Sequence, residues 1–238
     1  MDISNNKTNY IYNGIKETPS DVYENYNNFI FSHDSRIFNK MIKRAELYLN
    51  SKDIVGDIFE FGVFKGASIS LWLKLIYMYE PNSITKVIGF DFFNPEQVIK
   101  ELDGTNKDLM SDVINRVKKN DLSLESVKER LSEYNSSRYE LVKGDAVINA
   151  NNFINSNPGV KIKLLYMDLD IGEPTYHILM KLWNNVSING IIVFDEYAYH
   201  KWDESIGVDN FLKTIKGKYK QFPTGILSPT FYIKKIEY

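Results

Sequence analysis

The sequence predicts an α/β fold built on a mostly parallel sheet, and three observations carry that prediction. From residue 57 onward, short runs of apolar, β-branched and aromatic residues alternate with amphipathic stretches of helical period, the pattern of parallel strands joined by crossover helices. Each of the first five runs delivers one or two acidic residues to its carboxyl end. The last two runs are separated by a link too short for a crossover, so they are expected to pair antiparallel.

Composition narrows the function. With 238 residues and 43% hydrophobic content, the chain can bury one large core, and nothing in it suggests a repeat or a low-complexity tract. Lys plus Arg (29) nearly balances Asp plus Glu (31), so no global field steers it to nucleic acid or to an anionic membrane. The absence of cysteine excludes disulfides, thiolate metal sites and cysteine nucleophiles, which leaves oxygen ligands or the three histidines for any metal. The opening MDISNNKTNYIYNG is polar, and no segment reaches ~18 uninterrupted apolar residues, so a cytoplasmic location is expected.

Taken in order, residues 1–34 are rich in Asn, Tyr and Asp without clear periodicity and read as an arm or lid, with a neighbouring subunit of a homo-oligomer as one place to pack. Asp34 or Ser35 is placed to cap a helix to about residue 51, in which Ile37, Phe38, Met41, Ile42, Ala45 and Leu49 recur at helical spacing. Strands are expected at 57–62, 86–91, 139–143, 162–168 and 190–195, with helices at about 66–79, 122–134, 147–154 and 174–186. A polar, lid-like insertion fills about 92–120, and 218–222 with 230–236 form the antiparallel end. Residues 35–238 are read as one domain.

In an open parallel sheet, ligands bind beyond the carboxyl ends of the strands. At the first of these, Glu60-Phe-Gly62-Val-Phe-Lys65-Gly66-Ala-Ser68 turns from strand to helix, and its glycines either let a ligand approach the backbone or let the helix pack on the sheet. The pattern is not GxGxxG, which disfavours a pyrophosphate cradle. Asp91 ends the second run, where it either accepts the two ribose hydroxyls of a nucleoside or caps a turn. Asp168 and Asp170 close the fourth run and Asp195 and Glu196 the fifth. Carboxylates brought together in this way repel, and Mg²⁺, Mn²⁺ or Ca²⁺ is one compensation. The alternative is that Asp170 caps the following helix and Glu196 faces solvent. His200, on a loop beside this cluster, is a candidate to contact an acceptor, whereas His177 reads as a packed helix residue.

At these residues the chain resembles class I S-adenosylmethionine (SAM)-dependent methyltransferases, and within them the metal-dependent macrocin and novobiocin type of sugar O-methyltransferase. The resemblance spans about residues 57–211. It rests on Glu60 to Ser68, on Gly89-Phe-Asp91-Phe92-Phe, on Lys143-Gly-Asp145, on Met167-Asp-Leu-Asp-Ile-Gly-Glu-Pro-Thr175 and on Ile192-Val-Phe-Asp-Glu-Tyr197. It implies a Rossmann-like fold with a mostly parallel seven-stranded sheet, an antiparallel C-terminal strand and helices on both faces. It also implies SAM held by Glu60, Gly62, Lys65, Gly66, Ser68, Asp91, Phe92, Asp145, Ala146 and Asp168. A divalent metal, magnesium foremost, would sit on Asp168, Asp195 and Glu196. Asp170 would be the general base, and His200 is grouped with it as a candidate catalytic residue. The implied partner is a small sugar-like acceptor. Two departures stand out: Glu196 replaces the more usual Asp, and Leu169 replaces a small residue. A nicotinamide-dependent oxidoreductase would share the fold but lacks its pyrophosphate glycines here. A non-catalytic binding subunit and a metal-dependent hydrolase are the remaining alternatives.

Overall fold

Of the expected strands, Ile162–Met167 is buried at every residue, as a strand flanked on both sides and covered on both faces must be. The computed structural model describes residues 19–237. Two helices lead in, α1 (Pro19–Phe31) and α2 (Ser35–Ser51), followed by β1 (Asp57–Phe61), α3 (Ala67–Tyr79) and β2 (Val87–Asp91). Next come α4 (Pro95–Glu101), α5 (Gly104–Asn115), α6 (Leu124–Arg130), β3 (Tyr139–Lys143) and α7 (Ala146–Ser156). The chain ends with β4 (Ile162–Met167), α8 (Gly172–Leu182), β5 (Val186–Phe194), α9 (Glu204–Thr214), β6 (Tyr219–Pro223) and β7 (Phe231–Lys235).

The seven strands form one sheet in the order β3-β2-β1-β4-β5-β7-β6. The first five are mutually parallel, while β7 runs antiparallel to both β5 and β6. Strand period two sorts the core into two layers. Phe59, Phe61, Leu165 and Met167 face α7, α8 and α9. Ile58, Leu164 and Tyr166 face α2, α3 and α6. Strand order reverses between β1 and β4, the switch point at which such sheets bind ligands.

Several expectations change in detail. The arm reading covers residues 1–34, of which 1–18 lie outside the described residues; within the rest, residues 19–31 form α1. The polar insertion contains two short helices, α4 and α5. The helix expected at 122–134 shrinks to α6, and β5 starts four residues early, with a register shift against β4 between Ile162 and Leu164. Helix α9 was not anticipated.

The largest difference concerns α2. Asp34 caps it as expected, accepting from Arg36 N at 2.9 Å, but the stripe Ile37, Phe38, Met41, Ile42 and Leu49 is exposed. The inward stripe is Lys40, Arg44, Leu47, Tyr48 and Ser51, whose spacing also fits one helical face. Its lower half packs in the core. Its upper half carries two cations.

Helices α8 and α9 touch through glycine. A Cβ on Gly207 would lie 1.9 Å from the Gly172 carbonyl oxygen, so the two backbones pack without intervening side chains. Gly207→Ala is therefore expected to cost about 2 kcal/mol or more through overpacking, a fall of roughly 4–8 °C in Tm for a domain of this size. Thermal unfolding of the variant checks this, and an unchanged midpoint would show that the helices can separate freely.

Candidate active site

The site begins where β1 and β4 end. Asp168 N donates to Phe61 O at 2.9 Å, and Gly62, at φ 93°, brings the two backbones so close that a Cβ there would sit 1.9 Å from Asp168 O. Only glycine fits that point. The turn that follows is organised from β2. Asp91 Oδ2 accepts from Val63 N and Phe64 N, both at 2.9 Å, and Oδ1 accepts from Phe93 N at 2.8 Å. These bonds hold Phe64 and Phe93 at φ 54° and 49°, a region that bulky residues rarely enter. Burial pushes the Asp91 carboxyl up, against the backbone N–H groups, Phe93 foremost, that favour its charge. Asp91 therefore caps this turn, one of the two roles its position at the end of β2 allowed.

A cavity of about 790 Å³ opens above this edge, within the range of small-molecule sites. Gly62, Asp91, Phe92, Asp145, Ala146 and Asp168 line it, as does Asp170. Asp145 also caps α7, accepting from Ile148 N at 2.9 Å. The far wall is apolar and comes from the insertion, through Val98, Leu102, Met110 and Val113.

Four residues expected at the cofactor lie elsewhere. Glu60 points into the core, where its carboxylate accepts from the Ser68 hydroxyl and from Trp72 Nε1, and neither Glu60 nor Ser68 lines the cavity. The period of β1 explains this, since Glu60 faces the opposite side of the sheet from Phe59 and Phe61. Lys65 reaches Asp121 at 3.0 Å and so fastens the turn before α6. Gly66, at φ 84°, makes room for α6, because a Cβ would meet Val127 Cγ1 at 2.8 Å. His200 is also displaced from the cluster. It lines a separate shallow depression with Lys201, Trp202 and Ile206, and Asp203, held by Asn106 Nδ2 at 3.0 Å, stands between the two hollows.

The acidic end is arranged around α2. Lys40 Nζ lies 2.7 Å from Asp195 Oδ2 and 3.4 Å from Asp168 Oδ2. Arg44 Nη2 lies 3.1 Å from the same Asp168 oxygen, and its guanidinium stacks 4.5 Å over the Tyr166 ring. The Tyr166 hydroxyl donates to Asp195 Oδ1, and the Ser228 hydroxyl donates to Oδ2. Burial would raise Asp195, but Lys40 and Arg44 beside it bring the carboxyl below its ordinary value. Asp168, half-buried and facing Asp195, is pushed up to about 6 by desolvation and by that neighbour. Burial and the neighbouring Asp168, Glu196 and Asp195 raise Asp170 well above the ordinary carboxylate range. Asp170 sits at φ 66°, a conformation that Asp tolerates better than most residues and that marks a constrained position.

Glu204, at the start of α9, is a fifth acid that the strand-end pattern does not reveal. It is fully buried; Oε2 accepts from Glu196 N at 3.3 Å, while Oε1 has no partner among the described residues. Lys40 and Arg44 were missed as well. Their signal was present as basic residues one helical turn apart, in register with Leu47, Tyr48 and Ser51.

As arranged, Asp168 and Asp195 are not free for the implied metal. Both Asp195 oxygens and one Asp168 oxygen are already taken by cations or hydroxyls, while Glu196 Oε2, on the third implied ligand, is buried without a partner among the described residues. Among the described residues no three His, Asp or Glu side chains are grouped to hold an ion.

Solved structures share this fold. CalS11, a TDP-rhamnose 3'-O-methyltransferase of calicheamicin biosynthesis solved without ligand, aligns with a TM-score of 0.66 at 24% identity over 92% of this chain and 87% of its own. The O-methyltransferase NovP gives 0.64 at 18% identity over 83% and 81% of the two chains. An O-methyltransferase from Bacillus cereus, in complex with S-adenosylhomocysteine (SAH), gives 0.54 at 12% over 94% and 93%. Curated protein sequences yield no match. Sheet order and these neighbours together define a Rossmann-like fold of the kind that O-methyltransferases share. The model of one family, macrocin-O-methyltransferase (TylF), matches residues 35–216, and the chain belongs to that family of O-methyltransferases.

The buried Glu60 gives a measurable signature. Its carboxyl is pushed up to about 6, chiefly by burial, with Arg44, Ser68 and Trp72 opposing. A raised folded-state value means that its stabilising contribution is complete below the unfolded value near 4.5 and is lost as pH rises through about 6. In Glu60→Gln the amide can still accept from Trp72 and donate to the Ser68 oxygen, so the variant should fold. Its stability relative to wild type is expected to improve by on the order of 2 kcal/mol between pH 4.5 and 7. Parallel denaturant titrations at the two pH values test this, and a pH-independent difference would contradict it.

Proposed function

We propose that this protein transfers the methyl group of SAM to a hydroxyl of a small sugar-like acceptor, with Asp170 receiving the hydroxyl proton. The observation that carries the reading is the position of Asp170, held in a constrained backbone on the cavity wall beside the end of β4. The sugar-like acceptor is supported by the TylF family match and by CalS11, whose described substrate is TDP-rhamnose.

The cavity suits the cofactor in size and lining. Gly62 leaves the backbone bare at its floor, and Asp91, Phe92, Asp145 and Ala146 line the same cavity. SAM, when bound, supplies an electrophilic methyl on a positively charged sulfur. This chain has to hold the acceptor oxygen in line and take its proton. As the oxygen–carbon bond forms and the carbon–sulfur pair stays on sulfur, the hydroxyl proton passes to Asp170. A carboxylate crowded by Asp168, Asp195 and Glu196 binds a proton more firmly than a free one, which strengthens it as a base. Asp170 acts as a base in its charged form, which the positive charge of SAM in the same cavity would favour. Helices α4 and α5 form the wall over the acceptor end, consistent with a lid role for the insertion.

Calorimetric titration with SAH is expected to give micromolar or tighter binding. Asp91→Ala should weaken it by about tenfold or more, the worth of a charge-assisted hydrogen bond. Asp170→Asn should leave that affinity unchanged and lower turnover on a hydroxylated sugar acceptor by ~10²- to 10⁴-fold. Absence of SAH binding would overturn the cofactor assignment, and full turnover by Asp170→Asn would overturn the base.

A further inference from the structure

We infer that Lys40 is the cation that neutralises the Asp168–Asp195 pair in this protein, in the place a divalent metal would take, and that the lysine and a metal ion exclude one another there. This rests on the methyl-transfer reading for its catalytic meaning and on the geometry alone for its electrostatics.

The carboxylates of Asp168 and Asp195 bring two negative charges to the ends of adjacent strands, and Asp195 is fully buried. Two such charges in a low-dielectric site need compensation. Lys40 and Arg44 supply it, with Lys40 bridging the two carboxylates at 2.7 and 3.4 Å and Arg44 adding 3.1 Å to Asp168. Hard divalent cations require about six oxygen ligands at roughly 2.0–2.6 Å. The Asp195 oxygens are engaged by Tyr166, Ser228 and Lys40, and Asp168 Oδ2 is shared by two cations. An incoming ion would have to expel the ammonium and turn Asp195 away from Tyr166.

Lys40 also lines the cavity. An ammonium has three N–H donors. Two are directed at Asp195 and Asp168, which leaves one for the oxygen of an acceptor hydroxyl. In that role Lys40 is a positioning residue that fixes the oxygen near Asp170 and eases loss of its proton.

The test uses Mn²⁺ as a paramagnetic probe, with free ion read by electron spin resonance, on wild type, Lys40→Met and Lys40→Arg. SAH titration on the same samples reports both folding and the methyltransferase assignment. Wild type and Lys40→Arg are expected to show no saturable Mn²⁺ binding in the micromolar range. Lys40→Met should gain a site at least about tenfold tighter, a factor that removing a like charge a few Å away exceeds at protein-like dielectric. Micromolar Mn²⁺ binding by wild type overturns the inference even if the Met variant misfolds. So does a Lys40→Met protein that binds SAH yet gains no Mn²⁺ affinity. Loss of SAH binding by wild type would instead remove the methyl-transfer reading and leave the Mn²⁺ result to stand by itself.

Discussion

Charge at the carboxyl ends of β4 and β5 is the constraint on which the arrangement depends. Asp168, Asp170, Asp195, Glu196 and Glu204 meet in one region, and in a poorly solvated site they cannot all remain ionised without partners. The fold answers this from outside the sheet. Helix α2 lies across the β4 and β5 ends and lowers Lys40 and Arg44 onto two of the acids. The remaining acids keep raised proton affinities, Glu196 up to about 7. The same crowding raises Asp170 well above the ordinary carboxylate range.

The path from sequence to fold was clear wherever one periodicity dominated. The five parallel strands and the antiparallel end were legible because strand-length apolar runs are bounded by turn residues, and the ends of β1, β2, β3 and β4 lead to the cavity. Side-chain direction was harder. Glu60 looked like a ligand contact because it stands in a turn motif, yet a period of two sends it to Ser68 and Trp72. Lys65 and Gly66 belong to the same motif but serve the packing of α6. In α2 the obvious apolar stripe faces outward, while the inward stripe mixes two cations with Leu47 and Tyr48. Hydrophobic periodicity cannot find such a face, because its burial is driven by charge pairing at one end and by packing only at the other.

One carboxylate joins the catalytic end to the wall above it. Asp203 accepts from Gly172 N at 2.9 Å and from Asn106 at 3.0 Å, and so links α8, the entry to α9 and α5. The close contact of Gly172 with Gly207 holds α9 against α8, and α9 carries Glu204 beneath Glu196. Displacement of the insertion would therefore be felt at the acids through hydrogen bonds rather than through apolar contact.

The floor at Gly62 has a consequence for how this site can diversify. It is made by two main chains in near contact, not by side chains whose size can be varied in small steps. Core substitutions cannot widen or narrow it gradually; it is either kept or lost. The α4–α5 wall differs in kind, because Val98, Leu102, Met110 and Val113 shape it through side chains whose size can vary in small steps.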